Sequence, residues 1–272
     1  MINNDLYPNL KFYHAHIPKT GGTSLWRMVV PSKDAPDKDL NCGLPNCCSP
    51  RMRNRTDAVK FALSNKKCSF FSYELYRRHV ENIMKESPKV YKGITFLRDP
   101  LAHSLSALQH METYHKDDCK NVTQYLSGTG CHNYDLHNMQ TGRLGSSLKD
   151  SVATIDSLFF LGITDYYDES ICLLRYQLGQ ISRKLCECEH KTVSAKPKNV
   201  GHYHGQYTPD DLHQLYDMTV HDSILFNHGL RIFFSRIQQA EKALGYSLVC
   251  PRTPYEKVTQ DGLRSFSMLG ID

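Results

Sequence analysis

The stretch that decides the fold reads His16-Ile17-Pro18-Lys19-Thr20-Gly21-Gly22-Thr23-Ser24. The apolar and aromatic residues 10–15 before it predict a strand, and residues 25–30 after it predict the start of a helix. A strand, a glycine-bearing turn and a helix N-terminus form an anion site, because unpaired backbone N–H groups and the positive end of the helix dipole meet there. The glycines allow close approach of the backbone, and the hydroxyls and the lysine add donors and positive charge.

A second motif follows a second predicted strand. Residues 90–97 predict a buried strand that runs into Arg98-Asp99-Pro100. Proline suits the first position of a helix, and an aspartate before it suits the cap. Arg98 then lies at the carboxyl end of a strand, where ligands of open α/β sheets bind. Ser106 follows about two helical turns later.

The order of the first motif differs from the Walker loop, in which the lysine follows the glycines. Here Lys19 precedes them, as Pro18-Lys19-Thr20-Gly21-Gly22-Thr23-Ser24. This resembles the 5′-phosphosulfate loop of sulfotransferases that use 3′-phosphoadenosine 5′-phosphosulfate (PAPS), particularly the Golgi heparan sulfate 2-O- and 6-O-sulfotransferases. Arg98 and Ser106 resemble the 3′-phosphate site of that family, although the family pattern usually has another arginine where His103 stands. The alternative is an ordinary strand–turn–helix junction with a surface lysine.

Other segments define the fold class. Residues 157–164 predict a third strand, with a helix from 165 to about 178 that resembles an acidic helix start of the family, and residues 210–244 predict long helices. Strands alternating with helices predict an α/β fold with a mostly parallel sheet and helices on both faces. The resemblance implies the P-loop-like sulfotransferase fold. The 272 residues predict one domain, 1–272, with a Cys- and Pro-rich loop insertion at about 31–56.

The resemblance implies a donor site for PAPS, with adenosine 3′,5′-bisphosphate as the product and without a metal. Lys19 is expected to stabilise the bridging oxygen, the rest of the loop to hold the 5′-phosphate, and Arg98 with Ser106 to hold the 3′-phosphate. A basic loop at 191–198 is expected to lie over the bisphosphate, with a solvated loop as the alternative. The expected binding residues are Lys19, Thr20, Gly21, Gly22, Thr23, Ser24, Arg98, Ser106, Ser194, Lys196 and Lys198.

A hydroxyl acceptor also requires a general base. In the relatives a His or Glu serves, often at the end of the strand between the two phosphate motifs. Residues 67–73 predict that strand, so Glu74 is the first candidate, His79 the second and His110 the third. The alternative for Glu74 is an exposed carboxylate at a helix start. His16 is expected to orient the loop.

The net charge indicates the class of partner, and the cysteines indicate the compartment. The net charge is 33 − 28 = +5, which suits a polyanionic donor and an acidic glycan but is too small to indicate nucleic acid. Ten cysteines, an even number, favour an oxidising compartment. Cys119 and Cys131 are the first expected pair, and Cys186-Glu187-Cys188-Glu189-His190 is alternatively a metal site. The sequons Asn54-Arg55-Thr56 and Asn121-Val122-Thr123 fit a glycoprotein.

The expected location is the Golgi lumen, with the cytoplasm as second choice. No stretch of about 18 apolar residues predicts a transmembrane helix, and no signal peptide is evident. Relatives of this type usually carry an N-terminal membrane anchor, so contact with a membrane is expected only through such an anchor preceding this sequence. The expected reaction moves a sulfuryl group from PAPS to a carbohydrate hydroxyl. The alternatives are a small-molecule hydroxyl or amine acceptor, an NTP-binding phosphoryl-transfer enzyme, and a non-catalytic nucleotide-binding relative.

Overall fold

The structure is a computed structural model that describes residues 11–22, 24–25, 70–73, 91–114, 122–127, 135–188 and 207–250. Four strands in these ranges form one parallel sheet in the order β2-β1-β3-β4. The strands are Lys11–Ala15 (β1), Phe70–Tyr73 (β2), Tyr91–Leu97 (β3) and Phe160–Ile163 (β4). This confirms the predicted α/β class with a parallel sheet, and the insertion expected at 31–56 lies outside the described residues.

Helices separate the strands along the chain. In order from α1 to α8 they are Pro100–Tyr114, Val122–Leu126, Met139–Leu144, Leu148–Ser157, Tyr167–Gln177, Arg183–Cys186, Pro209–Asp217 and Val220–Leu244. The prediction of a strand from residue 157 was wrong at its start. Ser157 is the last residue of α4, and β4 begins at Phe160. A 3-10 turn, Thr164–Tyr166, then leads into α5.

Local chemistry fixes several helix ends. The Asp99 carboxylate accepts from the Ala102 N–H at 2.9 Å, which confirms the predicted cap before Pro100. Helix α7 begins with a capping box between Thr208 and Asp211. Helix α8 ends at Leu244 and is followed by Gly245, whose φ of 75° is the left-handed conformation that glycine adopts without steric cost.

The sheet order brings three strand ends together. Strand β1 lies between β2 and β3, so the next strand in the chain, β2, pairs on one side of β1 and the following strand, β3, pairs on the other. Ala15 pairs with Thr95 next to the end of β3, and Leu97 pairs with Ile163 at the end of β4. Because all four strands are parallel, the segments that follow β1, β3 and β4 meet at one edge, where the strand order reverses.

Helices cover both faces of the sheet. Phe96 and Leu97 are adjacent in β3 and therefore point to opposite faces. Phe96 stacks on Tyr167 at the start of α5. Leu97 lies against Gly229 of α8, where an added Cβ would be only 2.6 Å from Leu97 Cδ1. A second apolar cluster, which includes Leu108, Val122 and Leu215, joins α1, α2 and α7.

Among the described residues, two disulfides tie the chain after β4. Cys172 pairs with Cys186, and Cys188 pairs with Cys250. The sulfurs of the segment that was alternatively interpreted as a metal site are therefore both in disulfides. The expected Cys119–Cys131 pair lies outside the described residues. In the described ranges, no helix is both long enough and apolar enough to cross a membrane.

Candidate anion site at the carboxyl edge of the sheet

The segment after β1 forms a tight loop that opens a helix. The N–H groups of Ser24 and Leu25 donate to the Gly21 carbonyl at 3.0 and 3.1 Å, which is the first helical turn. Lys19 has a φ of 67° and Gly21 a φ of 91°. A lysine in the left-handed region is strained by about 1–2 kcal/mol, and such strain collects at functional sites. The predicted strand–turn–helix junction is thus confirmed as far as Leu25.

The two loop glycines are required by what packs beneath them. A Cβ on Gly22 would lie 2.1 Å from Nε2 of the His16 ring, and one on Gly21 would lie 3.0 Å from the Tyr167 ring. Burial raises the pKa of Tyr167 well above its usual value, although the nearby Ser24 hydroxyl acts in the opposite direction. The glycines therefore let the loop sit directly on two rings, which is a packing reason beyond the close approach of a ligand.

Side chains from the neighbouring strand ends hold the carbonyl groups of the loop. Each of four side chains donates a hydrogen bond to a backbone carbonyl at the end of β1 or in the loop, where regular backbone pairing ends. The bonds are Thr95 Oγ1 to Ala15 O at 2.7 Å, His103 Nε2 to Pro18 O at 2.8 Å, Arg98 Nη1 to Lys19 O at 3.1 Å, and Thr164 Oγ1 to Thr20 O at 2.8 Å. The conformation of the loop is thus set by β3, α1 and the 3-10 turn.

The N–H side of the loop is suited to an anion. Within the described part of the chain, the N–H groups of Gly21 and Gly22 donate to no protein acceptor. They lie at the first turn of a helix, where such groups bind phosphate and sulfate. The Thr20 hydroxyl is fully buried and donates to the Ile17 carbonyl at 2.8 Å. This hydrogen bond stabilises the loop internally. The expectation was that the Thr20 hydroxyl would instead donate to a ligand.

Arg98 lies at the end of β3, half-buried beside the loop. Burial lowers the pKa of its guanidinium, whereas the carboxylates of Asp165 and Asp99 raise it. The Asp99 N–H donates to Asp165 Oδ2 at 3.1 Å, which fixes the peptide that follows Arg98. The guanidinium therefore stands next to the loop in a fixed position, and it has further donors besides the one that Lys19 accepts.

His103 holds α1 against the loop, and Ser106 lies further along the same helix. His103 is 1% exposed, and burial lowers its pKa to about 4, with the charges of Arg98, Lys19 and Arg143 acting in the same direction. The neutral ring donates to the Pro18 carbonyl, so this side chain holds the loop. Ser106 is buried one turn later and lies on the same side of α1, because residues three apart are neighbours on a helix.

A buried histidine pair lies under the start of the loop. His14 and His16 stack with ring centroids 5.2 Å apart, and His14 Nδ1 is 2.8 Å from Ser72 Oγ. Burial lowers the pKa of both rings, that of His16 to about 4. Ser72 is therefore engaged inside the sheet, while the His16 ring supports Gly22, as expected for a loop-orienting residue.

The structure brings together most of the described residues that the sequence predicted. Lys19, Thr20, Gly21, Gly22 and Ser24 form the loop, with Arg98 beside it and Ser106 on the facing helix. His110 lies on α1, one turn beyond Ser106. The predicted residues outside the described ranges are Thr23, Glu74, His79, Ser194, Lys196 and Lys198.

Three residues that contribute to the site were not predicted from the sequence. Thr164 was assigned to a strand, and its bond to the loop carbonyl was not anticipated. Gln140 bonds to the Arg98 backbone, and the charge of Arg143 lowers the pKa of both His16 and His103. Gln140 and Arg143 lie in α3, in a segment whose sequence shows no motif that would have indicated a site.

The site combines backbone N–H groups, a lysine and a guanidinium at a sheet edge, which is an arrangement for binding an anion with more than one charged group. In the described ranges, no group of three or more His, Cys, Asp or Glu side chains could hold a metal ion. Comparisons with protein-family models and with curated proteins found no match for this chain.

Proposed function

We propose that this chain is a sulfotransferase that moves the sulfuryl group of PAPS to an acceptor hydroxyl and releases adenosine 3′,5′-bisphosphate. The observation that carries the proposal is the bond between Arg98 Nη1 and the Lys19 carbonyl. It places the two sequence motifs that resemble the donor site at one sheet edge, side by side. A donor with phosphates at both ends of its ribose requires two such anion-binding groups close together.

The residues suit the donor chemically. The N–H groups of Gly21 and Gly22 and the Ser24 hydroxyl would hold the 5′-phosphate, with Thr23 as a further donor. The guanidinium of Arg98, with Ser106, would bind the 3′-phosphate through charge-assisted bonds. Lys198, Lys196 and Ser194 would cover the nucleotide. The proposal includes the P-loop-like sulfotransferase fold as the specific type of the α/β fold described above.

The reaction is an in-line displacement at sulfur. The acceptor oxygen forms a bond to sulfur while the bond from sulfur to the bridging phosphate oxygen breaks. Negative charge grows on that bridging oxygen, and Lys19 would stabilise it, which is catalysis mainly by position and electrostatics. The acceptor proton passes to a general base, for which Glu74 is the first candidate and His79 the second. No step requires a metal.

The proposed acceptor is a carbohydrate and the proposed compartment is the Golgi lumen. The disulfides Cys172–Cys186 and Cys188–Cys250 support an oxidising compartment. The net charge of +5 suits a polyanionic donor and an acidic glycan. A small hydroxylated or aminated molecule is the second class of acceptor.

The test is transfer of label from sulfur-labelled PAPS in the presence of a chelator. The acceptors are a panel of desulfated glycans and simple phenols and amines, and Lys19→Ala is the matched inactive variant. We expect label in at least one acceptor with the natural protein, and a loss of about a hundredfold or more with Lys19→Ala. Binding of adenosine 3′,5′-bisphosphate without transfer to any acceptor would favour a non-catalytic relative. Magnesium-dependent turnover of ATP would favour phosphoryl transfer.

A further inference from the structure

The side chain of Gln140 pairs with the backbone of Arg98 on both of its polar atoms. The Arg98 N–H donates to Gln140 Oε1 at 3.0 Å, and Gln140 Nε2 donates to the Arg98 carbonyl at 2.8 Å. Gln140 is 1% exposed. The side-chain amide thus acts as one more strand residue beyond the end of β3, and it fixes both peptide groups of the residue that carries the guanidinium.

Gln140 is itself anchored to α8 through a buried carboxylate. Asp222 accepts from the Gln140 N–H at 3.0 Å and from the N–H and hydroxyl of Thr141, each at 2.7 Å. In return, Asn138 Oδ1 accepts from the N–H groups of His221 and Asp222 at 2.9 and 3.2 Å. Each helix is therefore capped by a side chain from the other, and the start of α3 cannot shift without breaking both caps.

We propose that Gln140 is a positioning residue that sets the place of the Arg98 guanidinium and thereby the preference for a 3′-phosphate. The inference rests on the proposed function, because it assigns the 3′-phosphate to Arg98. The Arg98 backbone is held by Gln140 on both polar atoms, and the next peptide is held by Asp165. With the backbone fixed and one guanidinium nitrogen on the Lys19 carbonyl, the remaining donors of Arg98 point in a defined direction.

A role that is only structural would lower stability without changing which ligand is preferred. Gln177 supplies a matched control, because its Nε2 donates to the Phe159 carbonyl at 3.1 Å and ties α5 to the opposite end of the sheet. Gln140→Met removes both bonds to Arg98 at nearly constant volume. Gln140→Glu keeps an acceptor for the Arg98 N–H but loses the donor to its carbonyl.

The measurement is the ratio of the dissociation constants of adenosine 5′-monophosphate and adenosine 3′,5′-bisphosphate, taken by calorimetry for the full chain. We expect Gln140→Met to reduce this ratio about tenfold while binding of the monophosphate changes less than about twofold. Gln140→Glu should reduce the ratio by an intermediate factor, and Gln177→Met should leave it unchanged.

The outcomes separate the inference from the proposed function. A natural protein whose ratio is near one contradicts the proposed function itself. A natural protein that prefers the bisphosphate, with the same ratio in the Gln140 variants, overturns the positioning role alone. Equal loss of the ratio in Gln177→Met would also overturn it, because the effect would then follow from general loosening. If Gln140→Met does not fold, Gln140→Glu decides by the same ratio.

Discussion

The guanidinium of Arg98 donates from Nη1 to the carbonyl of Lys19 at 3.1 Å, and so joins the end of β3 to the loop that follows β1. Lys19 is in the left-handed conformation, which a lysine rarely adopts. The bond helps to hold it there, together with the bonds from His103 and Thr164 to the carbonyls on either side. Binding at Arg98 and the shape of the loop are therefore coupled.

Replacement of Arg98 should affect both halves of the site. In Arg98→Ala we expect binding of adenosine 3′,5′-bisphosphate to weaken about tenfold or more, because a charge-assisted bond contributes about 1.5–3 kcal/mol. Arg98→Lys should recover only part of this loss, since one ammonium cannot replace a planar set of donors. Calorimetric titration measures the change. Arg231→Ala, on the exposed side of α8, is the matched control, and an equal loss in it would contradict the assignment.

Gly22 should not tolerate a side chain. In Gly22→Ala the added Cβ would lie 2.1 Å from Nε2 of the His16 ring, which is itself buried beneath the loop. We expect a loss of about 1–3 kcal/mol in the free energy of unfolding and bisphosphate binding weakened by about tenfold. Thermal denaturation and calorimetry measure the two effects.

Gly142→Ala is the control for that experiment. Gly142 lies in α3 with nothing within 4 Å of an added Cβ. Alanine there should stabilise the helix by up to about 1 kcal/mol, because it is the better helix former. Similar destabilisation by both alanines would show that the loop glycine has no special packing role.

His103 should make stability depend on pH. Its pKa is about 4 in the folded protein, below the ordinary value of 6.5, because the ring is buried among cations. As pH falls from 6.5 to 4, the unfolded chain takes up a proton that the folded protein does not. The stability from this group is therefore complete above about pH 6.5 and is lost on acidification.

His103→Gln should reduce that loss. Glutamine keeps an N–H donor for the Pro18 carbonyl but does not titrate, so the melting temperature should fall less steeply between pH 6.5 and 4 than in the natural protein. His213→Gln is the control, since His213 is exposed on α7. If His103→Gln shows the full slope of the natural protein, other groups are responsible and this account of His103 is wrong.

The disulfide between Cys188 and Cys250 should stabilise the fold by restricting the unfolded chain. The two residues are 62 positions apart, which by chain entropy corresponds to about 4 kcal/mol. We expect Cys188→Ser and Cys250→Ser to lower the free energy of unfolding equally, as measured by denaturant titration. The double variant should lose no more than either single one. Additive losses would mean that the two sulfurs act independently.

The parts of this site that the sequence predicts are those encoded locally. The loop follows its own strand, and the cap of α1 lies directly before Pro100. The start of β4 was misplaced because Leu158 and Phe159 are apolar like the strand that follows, although the helix runs to Ser157 and β4 begins only at Phe160. Periodicity alone does not separate the two over so short a run.

The supports of the site could not be predicted, because they join distant parts of the chain. Gln140 and Arg98 are 42 residues apart, Gln140 and Asp222 are 82 apart, and Thr164 and Thr20 are 144 apart. The supporting residues Gln140 and Asp222 belong to no local motif, and Thr164 was assigned to a strand. Only the strand order and the packing of α3 on α8 bring them together.

The most direct test of the central claim is calorimetric titration of the natural protein without magnesium. The ligands are adenosine 3′,5′-bisphosphate, adenosine 5′-monophosphate and ATP. We predict that the bisphosphate binds about tenfold or more tightly than the monophosphate, because only it can engage the Arg98 guanidinium and the loop after β1 together. Equal binding of all three ligands, or binding of ATP alone and only with magnesium, would contradict the sulfotransferase account.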